Sequence, residues 1–187
     1  FIAGGLGLAV IHELTRTRDL RRLSLHAKLM LVGTVALNLW AFVAYLGLEW
    51  TNPATLAGLD TVGDRLWAAW FQATTPRTAG FSTMDTGAMT EPSAVATIWL
   101  MFIGAGTGST AGGVKLTTFL VLIAATRAFL AHRNEVVLLG RRVEEGVVTR
   151  SLAIVVIGMI AMAGMLLVLT ITEEADVLDL VFELVSA

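Results

Sequence analysis

The chain has 187 residues, of which 56% are apolar and 15% charged, against about 25% charged in soluble domains. One soluble domain of this size cannot bury so much apolar surface, so the composition points to a membrane protein. A formal net charge of −2 excludes a basic nucleic-acid binder, and the lack of cysteine excludes disulfides, thiolate metal sites and cysteine nucleophiles.

Phe1 to Ile11 reads as the tail of an earlier span, ending by residue 14. Phe1 and Ala187 both lie inside apolar runs, so the chain is expected to be part of a longer protein. A basic loop is expected over residues 15–28. Apolar runs of about 20 residues can cross a ~30 Å hydrocarbon core as helix. Leu29 to Leu48 qualifies, with Asn38 as its only strongly polar member. Asp64 to Thr75 reads as a short helix, with Asp60, Thr61 and Asp64 as N-terminal signals and Pro76 ending it. Arg77-Thr-Ala-Gly-Phe81 and a polar return, Ser82 to Glu91, follow. Residues 94–131 would reach about 57 Å as one helix, too long for a single span, and are broken by Gly104-Ala-Gly-Thr-Gly-Ser-Thr-Ala-Gly-Gly113. A second basic loop is expected over 132–150. Leu152 to Ile171 is a further crossing without charge, inside a last segment, 151–187, that ends in a short acidic-aliphatic stretch.

Charge placement orients these elements. Arg16, Arg18, Arg21, Arg22 and Lys28 form one basic group; Arg127, Arg133, Arg141, Arg142 and Arg150 form the other. The excess of Lys and Arg in cytoplasmic loops puts both inside. Residues 49–91 and 173–183 are acid-rich and fall outside. The topology then closes without conflict.

Residues 49–91 start and end on one side, so any part that dips into the membrane must return. A short helix followed by an extended, glycine-containing strand is the layout of a re-entrant pore loop. The helix C-terminus would turn carbonyls toward mid-membrane, and the extended backbone would replace a cation's hydration shell. The same residues also fit an amphipathic helix on an exposed loop. The glycine-rich break cannot be a stable helix. Irregular backbone persists at membrane depth only where it is buried in protein or lines a water-filled cavity. Lys115, directly after it, is a charge at membrane depth and so a functional candidate. Gly108 to Lys115 is not a phosphate-binding loop: Val114 separates glycine from lysine, and Leu116 follows in place of Ser or Thr. His12, His26 and His132 have no ligand spacing. Asn38 suits interhelical packing or a pore-facing position.

Phe71-Gln-Ala-Thr-Thr-Pro-Arg-Thr-Ala-Gly-Phe-Ser-Thr-Met-Asp85 and Leu100-Met-Phe-Ile-Gly-Ala-Gly-Thr-Gly-Ser-Thr-Ala-Gly-Gly-Val-Lys115 together closely resemble the Trk/Ktr/HKT superfamily of potassium transport subunits, nearest its bacterial Ktr/Trk members. The resemblance implies an all-α membrane protein built of helix–pore loop–helix repeats, with a broken second helix. It makes residues 1–14 the end of a second repeat and 23–131 a complete third: span 29–48, pore helix 64–75, filter segment 77–81 and broken span 94–131. Residues 151–187 would begin the fourth, with Phe182-Glu-Leu-Val-Ser-Ala187 corresponding to Phe71-Gln-Ala-Thr-Thr-Pro76 at the end of a pore helix.

Carried over by position, the resemblance places Thr78, Ala79, Gly80 and Phe81 in the selectivity filter. Thr78, Ala79 and Gly80 would hold K⁺ through backbone carbonyls. It makes Gly104, Ala105, Gly106, Thr107, Gly108, Ser109, Thr110, Ala111, Gly112 and Gly113, with Lys115, the mobile gate loop beneath that filter. The implied function is potassium conduction, with K⁺ as the transported ion and no organic cofactor. Implied partners are the remaining repeats, a second copy, the bilayer and a cytosolic nucleotide-binding regulatory ring on the basic loops, but no nucleic acid. The implied location is the plasma (inner) membrane, with several crossings. Broken helices also serve alternating-access cation symporters, the rival reading. No acid or histidine group supports an enzyme.

Overall fold

A computed structural model describes residues 2–17, 22–77, 81–106, 112–133 and 135–186. Eight α-helices dominate the described residues: α1 (Ile2–Leu6), α2 (Leu8–Arg16), α3 (Leu25–Glu49), α4 (Val62–Thr74), α5 (Glu91–Phe102), α6 (Leu116–Leu130), α7 (Glu145–Thr172) and α8 (Val177–Ser186). Two-residue strands β1 (Val137–Leu138) and β2 (Arg141–Arg142) pair antiparallel between α6 and α7. The architecture is that of an all-α membrane protein. By length and composition, α3 and α7 can each cross a bilayer.

Helix ends follow local chemistry. The opening apolar run, expected to be continuous, is split at Gly7, whose φ of 86° favours glycine, and its second part runs on to Arg16. The Ser24 hydroxyl caps α3 by accepting from the Ala27 amide. The same hydroxyl and the Ser24 amide donate to Glu13. Behind α6, His132 takes a left-handed φ of 52°. The Arg133 amide bonds Ala128 O at 2.9 Å and the His132 amide bonds Phe129 O at 3.0 Å, closing a Schellman end. The strands, missed in the sequence, are joined through Leu139 and Gly140, both at positive φ, which suits a tight hairpin. Because of that ribbon the second basic loop is short, and α7 starts at Glu145 rather than near residue 151.

Packing centres on α3, which lies against α4, α5 and α6; α7 packs on α6, and α8 rests on α5 and α7. Two apolar clusters divide the molecule. One joins Leu6, Val10, Leu23, Ala27, Met30, Ile103 and Leu116 at the basic end. The other joins Ala41, Tyr45, Leu56, Ala69, Ala73, Met84 and Leu100 at the acidic end. In lipid, helices gain little by hiding apolar side chains from tails, so close approach of small residues matters more. Gly33 illustrates this: a Cβ there would stand 2.9 Å from Leu120 Cδ1. By contrast α7 is exposed along nearly its whole length, with Ser151 its buried residue.

Candidate functional site

Helix α4 is the short helix expected over 64–75, observed at Val62–Thr74. Thr61 caps it, accepting from the Asp64 amide at 3.1 Å, and Asp64 sits in its first turn, where the helix dipole favours an acid. Its buried face, Ala69, Gln72 and Ala73, lies on α3, and Trp70 meets Phe42 edge-on at 5.6 Å. Small residues on that face let α4 sit close to the span. The C-terminal turn closes with Thr75 N–H on Phe71 O at 3.0 Å. Gln72, Thr75 and Pro76 at that end line a cavity of about 460 Å³.

The cavity gathers several of the expected residues. Phe81 and Ser82 line it from the return segment, Thr97 and Met101 from α5, and Gly112 and Gly113 from the glycine-rich stretch. The last turn of α8, at Phe182, Val185 and Ser186, lines it too. Thr78, Ala79 and Gly80 lie outside the described residues. Phe81 is exposed. Beyond it Ser82 Oγ donates to Met84 O, and Asp85 Oδ1 accepts from the Gly87 amide at 3.0 Å, turning the chain toward α5.

The long apolar stretch is two helices, α5 and α6, connected through the glycine-rich loop. The loop has a closed neck. Ile103 and Val114 form a bridge, Gly104 N–H bonds Val114 O at 2.9 Å and Val114 N–H bonds Phe102 O at 2.9 Å. The neck tolerates no side chain at its contact points. A Cβ on Gly104 would stand 1.9 Å from Gly112 O, and one on Gly113, at φ +74°, 2.8 Å from Met101 O. The descending limb then docks on α1 and α3: Gly106 N–H bonds Gly5 O at 2.8 Å, and a Cβ on Gly106 would meet Leu6 O at 2.6 Å. Gly104, Ala105 and Gly106 are buried, whereas Gly112 and Gly113 are exposed to the cavity. Thr107, Gly108, Ser109, Thr110 and Ala111 lie outside the described residues. Lys115, half-buried, holds the extended N-cap position of α6.

Three polar groups that frame this region were not singled out in the sequence. Glu49, fully buried at the end of α3, accepts from Asn52 Nδ2 (2.7 Å), Thr55 Oγ1 (2.5 Å), Thr90 N (2.9 Å) and Thr90 Oγ1 (2.7 Å). It thereby ties the segment after α3 to the start of α5. Arg65 of α4 donates to Ala57 O and Leu59 O at 3.0 and 3.1 Å and stacks over Trp50 at 5.6 Å. Thr97 donates to Ser93 O at 2.7 Å, so the Tyr45 hydroxyl 2.7 Å away is the donor to Thr97. Asn38, the polar residue inside the span, is buried and accepts from Arg77 Nη1 at 3.4 Å. No local pattern in the sequence marks Glu49, a lone acid at a span end whose partner Thr90 lies 41 residues on.

A family model described as TrkH, cation transport protein, matches residues 21–187. Over its whole length the chain is 45% identical to the Ktr system potassium uptake protein B of Bacillus subtilis (strain 168), covering 42% of that protein. It is 41% identical, again over its whole length, to the Ktr system potassium uptake protein B of Vibrio alginolyticus, covering 41% of it. Over 92% of the chain it is 31% identical to the potassium/sodium uptake protein NtpJ of Enterococcus hirae, covering 38% of that relative. The chain thus spans about two fifths of the length of these relatives. With a family match over most of its residues, it belongs to the TrkH family of cation transport proteins.

Proposed function

We propose that this chain supplies one complete helix–pore loop–helix unit, residues 23–131, of a potassium-conducting transport subunit. Residues 1–14 end the preceding unit and 151–187 begin the next. Thr78, Ala79, Gly80 and Phe81 form this unit's share of the filter, with carbonyls facing K⁺. Residues 104–113 with Lys115 gate the path beneath it. The basic segments face the cytoplasm, where a nucleotide-binding regulatory ring docks, and two copies of the subunit associate in the plasma membrane.

One observation supports this reading above the others. The C-terminal turns of two short helices, α4 and α8, line the same cavity as Gly112 and Gly113 of the glycine-rich loop. Each turn carries carbonyls with no helical partner, so the helix dipole places negative potential where a cation would lose its water. The filter-bearing segment leaves α4 at that turn. The loop's neck is held by backbone bonds across glycines, which fixes its ends to α5 and α6.

The test is potassium uptake by the full-length protein. Gly80→Asp is expected to abolish preference for K⁺ over Na⁺, and deletion within 107–111 to raise flux. Unchanged preference in the first variant would remove the filter assignment; unchanged flux in the second would leave the loop as packing. Flux beyond about 10⁵ ions per second would exceed what conformational cycles of microseconds to milliseconds sustain, and so exclude alternating access.

A further inference from the structure

Arg77 stands between α4 and Thr78, and no step described so far uses its charge. Its Nη1 donates to Asn38 Oδ1 on α3 at 3.4 Å. Nε and Nη2 are buried and have no partner among the described residues. Beside the guanidinium lies a small cavity of about 20 Å³, walled by Ile2 and Gly5 of α1, Asn38 of α3, Thr74 of α4 and Ala105 of the glycine-rich segment. Buried N–H groups of a cation are costly unless they are bonded. A cavity of that volume has room for one water molecule. Around this one side chain, which directly precedes the expected filter, meet the end of α4, the span behind it and the limb of the loop expected to gate it.

We propose that Arg77 is a positioning residue that couples the filter segment to the glycine-rich loop. One edge of its guanidinium is fixed to α3 through Asn38. The other edge faces Ala105 and Gly5 across the small cavity, at the point where Gly106 N–H bonds Gly5 O. The rigid fork of five N–H groups can serve both directions at once, which a lysine ammonium on a flexible stem cannot. Because Arg77 is covalently next to Thr78, displacement of the loop limb at Ala105 is passed to the first carbonyl of the filter segment. This inference rests on the filter and gate reading above.

The experiment uses the full-length transporter reconstituted in vesicles. It reads K⁺/Na⁺ preference and apparent K⁺ affinity per molecule of inserted protein, with Gly80→Ala in the same series. Arg77→Gln and Asn38→Leu are each expected to shift the preference by roughly tenfold, the worth of one charge-assisted hydrogen bond. Arg77→Lys should shift it comparably, since it keeps charge without the fork. Asn38→Asp, a stronger acceptor, should behave as wild type. The double variant should be no worse than Arg77→Gln alone, because both remove one link. Where Arg77→Gln fails to insert, Asn38→Leu decides the matter. Wild-type preference in Arg77→Gln and Asn38→Leu, whatever their abundance, would reduce Arg77 to a structural prop and overturn the proposal. If Gly80→Ala shifts preference while those two do not, the coupling fails and the filter reading stands. If Gly80→Ala also leaves it unchanged, the filter reading itself has failed.

Discussion

The two ends of α3 are held by different chemistry. At the acidic end, side chains do the joining: Glu49 gathers Asn52, Thr55 and Thr90, Arg65 gathers Ala57 and Leu59, and Tyr45 reaches Thr97. At the basic end, backbone meets backbone across residues without side chains, at Gly5, Gly104, Gly106 and Gly113. A side-chain network anchored on a buried carboxylate fixes one geometry, because every unmet donor is costly. The neck is instead held by backbone bonds and by close approach at glycines, with no ionised side chain among its bonding groups. On the function proposed above, the first kind of joint would hold the cation path and the second the ends of the gate.

Breaking the acidic end should have the largest effect. Glu49→Ala leaves the buried hydroxyl of Thr55 and the half-buried donors of Asn52 and Thr90 without this acceptor, at about 1–3 kcal/mol for each buried group left unsatisfied. Hydroxyls can turn to other acceptors, so the expected net loss is about 4 kcal/mol. Thermal denaturation of the full-length protein in detergent would measure it. Glu49→Gln keeps the shape and one acceptor oxygen but presents N–H groups to a second set of donors, and should lose about half as much. Equal midpoints for wild type and Glu49→Ala would mean that the carboxylate does not organise this end.

Next in size is the neck. Gly104→Ala places a methyl group 1.9 Å from Gly112 O, a backbone atom that cannot swing away. Overpacking of this kind costs typically about 1–3 kcal/mol. The Ile103–Val114 bridge should part, and K⁺ leak in a flux assay should rise along with the fall in melting temperature. Gly113→Ala adds a left-handed residue, worth about a further 1–2 kcal/mol.

These two regions were not equally legible in the sequence. The glycine cluster announced itself, because five glycines within ten residues of an apolar stretch contradict a spanning helix. Its neck was not legible, since a pairing of Ile103 with Val114 depends on where two separate helices end. The short helix was readable from Thr61, Asp64 and Pro76, with bounds shifted by two residues at the start and one at the end. Glu49 and Arg77 were hidden for a common reason. Each is a single charge whose partners lie 39 to 41 residues away or are uncharged amides and hydroxyls, so no local pattern marks them. The β1–β2 ribbon escaped because its turn is Leu139-Gly140, without the Asn or Asp that usually signals a two-residue hairpin.

A smaller effect comes from the outlying bond of the acidic end, one turn before Glu49. Tyr45→Phe removes one hydroxyl that donates to Thr97 while keeping the buried ring. Thr97 retains its bond to Ser93 O, so only an acceptor is left unmet, and the loss should be about 1 kcal/mol. A double variant with Thr97→Val should cost little more than Thr97→Val alone, since both changes remove the same bond.

The smallest effect sharpens the comparison because its sign is opposite. Gly4 and Gly5 are neighbours in α1, yet a Cβ on Gly4 meets nothing within 4 Å among the described residues, while one on Gly5 touches the Ala105 Cβ at 3.4 Å. If the basic end depends on close approach and not on glycine flexibility as such, Gly4→Ala should be neutral or stabilising. Replacing a helical glycine by alanine is worth up to about 1 kcal/mol in its favour. A rise of the melting midpoint in Gly4→Ala, beside a fall in Gly104→Ala, would place the sensitivity in the contact. A fall in both would mean that α1 itself must flex at Gly4, and the neck would lose its status as the point where this end is held.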